Sequence, residues 1–453
     1  MREIITQALH GHNAEYVEVR LEEGQGTSLQ YRGGEVEDVV RSSGLGGCVR
    51  ALAGGGWGFA CFNDLSHLRQ KVAEAVSHAR HVGGERVRLA DVEPKVDIVP
   101  ATAPRDPRQV PLARKKEIMD QYAQLMLSVP GVQTCRLGYG DGYRKTMVAT
   151  SQGTYIQQER VHVTLRLAAI ARDGGDVQQA SVSLGSNGDF SVVEDLRGPV
   201  QEMAQRAVAM LKAPQVKGSE YTVVLDPVLA GVFIHEAFGH LSEADHVYQN
   251  DRLREIMTLG RQFGGRHLNV VDGAAIPGLR GSYSYDNEGT PATKTSLIRE
   301  GVLVGRLHSR ETAAKMGEPP TGNARAMNYG FPPIVRMTNT LIEPGAATLE
   351  DLVADIEEGV YARNWYGGMT SMEMFTFSAG EAYMVRHGKV AELLRPVMLT
   401  GNLFTTLANL DAVANDLAMN QGGGCGKNGQ GPLPVSNGSP HIRIQHCLVG
   451  GAA

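Results

Sequence analysis

Residues 226–240 read Asp-Pro-Val-Leu-Ala-Gly-Val-Phe-Ile-His-Glu-Ala-Phe-Gly-His and follow a short apolar run at 221–225. Such a run is typical of a buried strand. Asp226 and Pro227 fit the N-cap and the first helical position, because aspartate accepts from free backbone amides and proline lacks only a donor that would have no partner. The sequence therefore predicts a strand that leads directly into a helix carrying two histidines and a glutamate.

The spacing of these histidines determines whether both can bind the same metal ion. His235 and His240 are five residues apart, with Glu236 directly after the first, and histidines flanking a glutamate are typical of metal-dependent hydrolases. On an ideal α-helix a five-residue step turns about 500°, so the imidazoles would diverge by roughly 140°. A π-bulge would return them to one face, and Gly239 is expected to ease that irregular backbone because it has no Cβ. The alternative is a pair of hydrogen-bonded core histidines.

A metal site needs a third protein ligand from elsewhere in the chain. The glycine-rich segment 422–431 holds Cys425 between glycines, which let the backbone approach another element closely. The segment is not a P-loop, because Gln421 stands where that motif needs glycine and Asn428 where it needs serine or threonine. Two histidines and a cysteine would leave the fourth position of a zinc ion open for water. The spacing leaves alternatives to Cys425 open: Glu243, Asp245 and His246, and less favourably His446 and Cys447.

Length and composition indicate a globular protein of two domains. The 453 residues exceed the usual size of a single hydrophobic core, and the 55 glycines predict many turns and hairpins. A net charge of −5, with no basic run longer than Arg114–Lys116, argues against a nucleic-acid partner. The five cysteines are scattered and do not indicate a disulfide framework. No apolar segment reaches about 18 residues and the first residues lack a leader pattern, so we expect a cytoplasmic protein without a membrane span.

The expected fold class is α+β, with a domain boundary near residue 215. Residues 1–215 alternate between hairpin strands and helices, the latter near 65–79, 110–129 and 192–211. None of their histidines or acids shows a ligand spacing, so we assign substrate guidance and dimer contacts to this N-terminal domain. Residues 216–453 are expected to form a largely antiparallel β domain that carries the motif helix and the chemistry.

Eight short segments, spread in order over nearly the whole chain, match the sequence pattern of one protein family. They are 15–20, 54–60, 235–240, 286–291, 320–323, 336–340, 425–430 and 449–451. In these segments the chain resembles the TldD/PmbA (TldD/TldE) metallopeptidase family. The TldE/PmbA partner subunits of that family lack the His-Glu-x-x-x-His motif. Because this chain contains the motif, it resembles the catalytic, TldD-type members.

This resemblance implies a zinc metallopeptidase that hydrolyses unfolded or short peptides. It implies that His235, His240 and Cys425 hold Zn²⁺ and that Glu236 is the general base for an activated water. It also implies a TldE/PmbA-like partner subunit in a heterodimer, with a homodimer as the alternative. The segment 241–248 departs from the more glycine-rich family pattern, so details of a lid and of substrate choice do not follow from the resemblance.

Two other functions would use the same residues. A peptide-binding or regulatory module would hold a structural metal, with Glu243 or Asp245 closing the fourth coordination position. A small-amide hydrolase would use the same chemistry in a chamber too narrow for a peptide strand. In the metallopeptidase, a tyrosine or arginine from the loops around Tyr285 and Arg336 is a candidate for stabilising the oxyanion.

Overall fold

The computed structural model describes residues 2–82, 86–371 and 373–451. Helices account for 24% and strands for 45% of the protein, which confirms the predicted α+β class. Among the described residues, no helix is both long enough and apolar enough to cross a bilayer.

One seven-stranded sheet dominates the first half of the chain. Its strands are β1 (Tyr16–Arg32), β2 (Glu35–Ala53), β3 (Gly56–Phe62), β4 (Val96–Val99), β5 (Val132–Thr150), β6 (Tyr155–Asp173) and β7 (Asp176–Ser186). They lie in the order β3-β2-β1-β5-β6-β4, and β7 also pairs with β6. All neighbours are antiparallel except β4 and β6, so the long hairpins expected from the alternating sequence form most of the sheet.

Four helices cover one face of this sheet with their apolar sides. They are α1 (Arg2–Leu9), α2 (Leu68–His81), α3 (Leu112–Leu127) and α4 (Arg197–Met210). The helix predicted from residue 192 begins only at Arg197, because a 3₁₀ turn at Phe190–Val193, capped by the Asp189 side chain, comes first. The odd-numbered residues of β6 from Val163 to Ala171 lie in this core, as period-2 alternation requires.

The opposite face of the sheet carries polar side chains that contact the second half of the chain. Arg20 on β1 donates to the backbone oxygen of Asn328 at 2.8 Å. Arg50 on β2 forms a buried ion pair with Glu288. This face therefore meets the part of the protein that carries the histidine motif.

The second half of the chain is rich in short strands. They are β8 (Ser219–Leu225), β9 (Val270–Gly273), β10 (Lys294–Arg299), β11 (Val302–Leu303), β12 (Ala324–Arg325), β13 (Ile334–Val335), β14 (Asn339–Ile342), β15 (Glu358–Ser371), β16 (Met374–Arg386), β17 (Lys389–Leu394), β18 (Val397–Asn402), β19 (Leu410–Val413), β20 (Ala418–Asn420), β21 (Gly424–Lys427), β22 (Gln430–Pro434), β23 (Ser436–Ser439) and β24 (Ile442–Gly451). Most pairs are antiparallel, while β8–β15 and β14–β23 are parallel.

Five of these strands close into a ring. Their order is β15-β8-β24-β18-β16, and β16 pairs back with β15 to complete the circuit. A second sheet of six strands has the order β11-β10-β9-β14-β23-β20. The two pairs β12–β13 and β21–β22 stand apart from both sheets.

The helix that carries the motif lies between the ring and the six-stranded sheet. The helices of this half are α5 (Pro227–Ile234), α6 (Ala244–Gln249), α7 (Asp251–Ile256), α8 (Arg310–Met316), α9 (Leu349–Val353) and α10 (Leu403–Ala408). On one side of α5, Phe233 packs edge-on against Phe375 of the ring, with 5.6 Å between ring centroids. On its other side, Gly231 faces the backbone of Gly438 in β23 so closely that a Cβ would collide with it. The motif helix is therefore fixed on both sides.

Candidate metal centre

The local structure of the motif agrees with the expectation from the sequence. The Asp226 side chain accepts from the amide of Leu229 at 2.8 Å, and Pro227 is the first helical residue. The helix changes to π geometry over His235–Gly239, which confirms the predicted bulge. The two imidazole rings consequently lie near one another, with 5.5 Å between their centroids.

The role predicted for Gly239 is wrong, although the bulge itself is present. Its φ of −56° and ψ of −50° are ordinary helical values that any residue adopts. Glycine is required here for space, because a Cβ at this position would overlap the sulfur of Met337. The absence of a side chain at Gly239 thus lets the segment before β14 approach the motif.

Cys425 reaches the motif on the hairpin β21–β22, where it lies opposite Leu433. The hairpin turns at Asn428 and Gly429, both with positive φ. Arg336, fully buried, holds the hairpin from behind by donating to the backbone oxygen of Cys425 at 2.6 Å and to that of Gln430 at 3.0 Å. Arg336 therefore positions the cysteine, and its contacts do not support the predicted role at an oxyanion.

Three potential ligands converge at this point. The ligand atoms of His235, His240 and Cys425 all lie within 4.8 Å of one another. The Cys425 sulfur is 3.4 Å from Nε2 of His240, although the two residues are 185 positions apart in the sequence. The structure thus brings together the three residues for which a shared metal was expected.

The acids that competed with Cys425 as a third ligand have other partners. Oε2 of Glu243 lies 3.0 Å from Nδ1 of His240, and Oε1 accepts from the amide of Met337 at 3.2 Å. The ammonium group of Lys427 lies 3.1 Å from Glu243 and 2.7 Å from Asp245. Because Glu243 binds Nδ1, it leaves Nε2 of His240 directed at Cys425, which is how carboxylates orient metal-binding histidines.

His235 is oriented in a similar way by a neutral group. Its Nδ1 lies 3.5 Å from the hydroxyl oxygen of Thr340. That hydroxyl donates its proton to Asp272 at 2.8 Å, so it faces His235 as an acceptor. This arrangement favours the proton on Nδ1 and leaves Nε2 with a free lone pair.

The electrostatic environment of Cys425 differs from that of the other cysteines. Burial raises the pKa of Cys48 and Cys135 to about 11 and that of Cys447 to about 12. Burial acts in the same direction at Cys425, but His235 and His240 lower the pKa of its thiol to about 5. The thiolate, which is the form that binds metals, is therefore favoured at Cys425, beside the two histidines, and disfavoured at the three other buried cysteines.

Glu236 faces a large cavity next to the three ligands. Its carboxylate is 34% exposed and lies 3.8 Å from Nε2 of His240. The cavity has a volume of about 1130 Å³ and lies between the N-terminal sheet and the motif, with His235 and Glu236 in its wall. The side of the motif that carries Glu236 is thus open to a molecule large enough to fill this cavity.

The N-terminal sheet also contacts the segment that leads to Cys425. Ser183 on β7 donates to the backbone oxygen of Gly422 at 3.0 Å. A Cβ at Gly422 would collide with the backbone of Ser183, so only glycine permits this contact. One side of the candidate site is therefore supported by the first half of the chain.

Other residues considered from the sequence lie away from the three ligands or have other partners. The Tyr285 hydroxyl donates to Asp97 at 2.8 Å. His446 pairs with Glu220 at 2.7 Å, and Cys447 is buried opposite Tyr221 in the ring. These contacts give none of them a place beside His235.

Sequence reasoning missed the residues that orient the ligands. Glu243 was considered only as a ligand, although its position three residues after His240 puts it on the same helical side. The Asn428-Gly429 pair was a local signal for the hairpin that presents Cys425. Arg336 was considered only for the oxyanion. Thr340 and Asp272 come from distant segments, and no local pattern indicated that Thr340 contacts the motif and Asp272 contacts Thr340.

Three family models match successive parts of the chain. They are PmbA/TldA metallopeptidase domain 1 at residues 17–80, the central domain at 105–213 and the C-terminal domain at 218–451. The last model alone spans more than half of the sequence. The chain therefore belongs to the PmbA/TldD metallopeptidase family.

Individual relatives carry names of the same kind. A metalloprotease of Synechocystis sp. is 49% identical over 443 residues, covering 97% of this chain and 96% of the relative. The zinc metalloprotease TldD homolog of Saccharolobus solfataricus is 30% identical over 409 residues and covers 89% of each chain. The crystal structure of TldE from Thermococcus kodakarensis matches with a TM-score of 0.76 over 97% of both chains, and its 17% identity limits that likeness to the fold.

Proposed function

We propose that this protein is a zinc metallopeptidase that hydrolyses unfolded or short peptides. His235, His240 and Cys425 would hold the ion, and Glu236 would act as general base. The observation that carries the proposal is the convergence of the three ligand atoms within 4.8 Å, beside a carboxylate that faces a large cavity. The names of the relatives support a metallopeptidase in general terms.

The chemistry of the donor set fits zinc. Two imidazole nitrogens and a thiolate are ligands that zinc prefers, and three protein ligands leave a fourth position for water or substrate. A bound zinc ion supplies Lewis acidity, which activates water and polarises the carbonyl group to be cleaved. Glu243 and Thr340 support this fit because they engage Nδ1 of each histidine and leave Nε2 available.

Glu236 is suited to move the proton. Its carboxylate forms no hydrogen bond with the described residues, so it is free to accept a proton from a water molecule between it and the substrate. The same carboxyl group then donates that proton to the leaving amine. Both transfers take place at the wall of the cavity, where a peptide can approach.

The size of the cavity favours a peptide over a small amide. A volume of about 1130 Å³ exceeds the usual range of small-molecule sites, which is roughly 300–1,000 Å³. A structural metal is disfavoured by a different observation. Glu243 and Asp245, which would have to close the fourth position, are engaged by Lys427.

Zinc content and peptidase activity of purified variants test this proposal. We expect Glu236→Gln to retain zinc and lose hydrolysis of an unfolded peptide, whereas Cys425→Ala loses both. Zinc measured by mass spectrometry and cleavage measured by chromatography provide independent readouts. Full activity of Glu236→Gln would contradict the role of the base, and full zinc content of Cys425→Ala would contradict the ligand set.

We further propose a role for each half of the chain. Residues 1–215 would guide the substrate and make dimer contacts, and residues 216–453 would carry out hydrolysis. The protein would pair with a TldE/PmbA-like subunit, with a homodimer as the alternative, and would act in the cytoplasm; its membership of the PmbA/TldD family supports the pairing. Light scattering of the chain alone and mixed with such a subunit tests the pairing, which an unchanged monomer mass in both samples would contradict.

A further inference from the structure

Four arginines are close enough to repel one another where the N-terminal sheet meets the segment that leads to Cys425. We define this arginine cluster as Arg160 and Arg166 on β6, Arg280, and Arg325 on β12. Three of them donate to backbone oxygens: Arg160 to Arg280, Arg280 to Gly423, and Arg325 to Pro434. Within the described ranges, none of the four forms an ion pair with a carboxylate.

The positive charge of the arginine cluster is only partly compensated. Arg280 is 7% exposed, and neither its Nε nor that of Arg160 has a hydrogen-bond partner among the described residues. Burial, followed by the neighbouring Arg166 and Arg325, lowers the pKa of Arg280 to about 10. Burying a cation without a counter-charge is unfavourable unless an anion or suitable dipoles approach it. Backbone oxygens supply such dipoles to Arg160, Arg280 and Arg325, whereas no described carboxylate pairs with any of the four, so the cluster keeps a net positive charge that a bound anion would neutralise.

The arginine cluster adjoins the reactive end of the cavity. Arg166 and Arg280 line the same cavity as His235 and Glu236. The Arg280 guanidinium binds Gly423, which precedes Cys425 by two residues, or roughly 7 Å of extended chain. An anionic group bound here would thus lie within about two residues of the bond to be cleaved.

We propose that Arg166 and Arg280, the two members of the arginine cluster that line the cavity, bind a carboxylate of the peptide substrate, an inference that rests on the proposed peptidase function. Guanidinium groups match the planar geometry of a carboxylate and form charge-assisted hydrogen bonds with it. The carboxylate is either the C-terminal group of the peptide or the side chain of an aspartate or glutamate. The enzyme consequently prefers peptides with such a group near the cleaved bond.

Arg166→Gln is the variant that tests this assignment. Arg166 is exposed and makes no hydrogen bond or ion pair with described residues, so its replacement leaves the fold intact. Arg280 is unsuitable because it also holds the glycine segment. Arg172→Gln is the matched control, since Arg172 is exposed on the same face of β6 but lies outside the cavity wall. Equal zinc content and melting temperature verify that both variants are intact.

The assay uses three peptides with one common sequence. The first has a glutamate beside the cleaved bond and an amidated C-terminus, the second has glutamine and an amide, and the third has glutamine and a free carboxylate. We expect kcat/KM for one of the acidic forms to exceed that of the glutamine amide by about 10-fold or more. Arg166→Gln should remove this advantage, while Arg172→Gln should preserve it. The peptide that benefits identifies the source of the carboxylate.

Two outcomes overturn the inference while the peptidase function stands: equal hydrolysis of all three peptides, or an equal slowing of all three by Arg166→Gln. If no peptide is hydrolysed, the proposed function fails instead. Fluorescence anisotropy with labelled peptides and zinc-loaded protein then tests the inference separately. Tighter binding of an acidic peptide that Arg166→Gln abolishes supports it, and equal dissociation constants refute it.

Discussion

The carboxylate of Glu243 should set the affinity of the site for zinc, and Glu243→Gln tests this directly. One oxygen faces Nδ1 of His240 at 3.0 Å and the other accepts from the amide of Met337 at 3.2 Å. Glutamine has one oxygen, so it satisfies one of these two donors and turns its amino group toward the other. Lys427 keeps a partner, because Asp245 remains 2.7 Å away.

The expected effect is a loss of zinc affinity of about 10–100-fold, the usual effect of removing a group that orients a metal ligand. This corresponds to about 1.4–2.8 kcal/mol of binding free energy. Titration of metal-free protein against a chromophoric zinc chelator measures it. Glu288→Gln is the matched control, because Glu288 is also buried, pairs with a cation (Arg50) and accepts from a backbone amide, that of Arg310.

Both substitutions should lower thermal stability, since each disrupts a buried charged hydrogen bond. Only Glu243→Gln should weaken zinc binding. If Glu243→Gln binds zinc as tightly as the unmodified protein, the carboxylate does not orient His240 toward a metal. If Glu288→Gln weakens zinc binding to the same extent, the effect reports general destabilisation and the reasoning is refuted.

Further predictions concern the packing and capping around the motif. Gly239→Ala should lower the free energy of unfolding by about 1–3 kcal/mol through its clash with Met337, and the additional change Met337→Ala should reduce that loss. Urea unfolding measures both effects, and no loss of stability in the single variant would contradict the clash. Asp226→Ala should lower the free energy of unfolding by about 0.5–2 kcal/mol in the same assay, a larger loss than that of Thr348→Ala at the exposed N-cap of α9. A larger loss for Thr348→Ala would contradict the stabilising role of the buried Asp226 cap. Arg336→Lys should weaken zinc binding, because one guanidinium binds both strands of the β21–β22 hairpin and a lysine cannot. The helix signal in circular dichroism should change little, and an unchanged zinc affinity would exclude this positioning role.

The motif itself was predictable because its signals are local. Asp226 and Pro227 define the helix start through groups within three residues of one another. The π-bulge followed from a requirement that both imidazoles face one ion, and the structure contains it at His235–Gly239. Pattern and geometry within one short segment were sufficient for these features.

Features that depend on distant segments could not be derived in this way. The spacing left Cys425 and the nearby acids as equal alternatives, and only the family resemblance favoured the cysteine. Glycine is required at position 239 because the sulfur of Met337, from another part of the chain, occupies the space of a Cβ. The pairing of β8 with β24 and the contacts of Thr340 likewise depend on tertiary structure, which no periodicity of the sequence encodes.

The long separation between partners in the second half of the chain has a consequence for biosynthesis. Thr222 on β8 leaves the ribosome 223 residues before Gln445 on β24, to which it is hydrogen-bonded in the finished protein. The two histidines likewise emerge well before Cys425, which follows His240 by 185 positions. Contacts between such remote segments form late in folding. A nascent chain therefore carries only part of the candidate ligand set, and the candidate metal centre is assembled only after almost the whole of the second half has been translated.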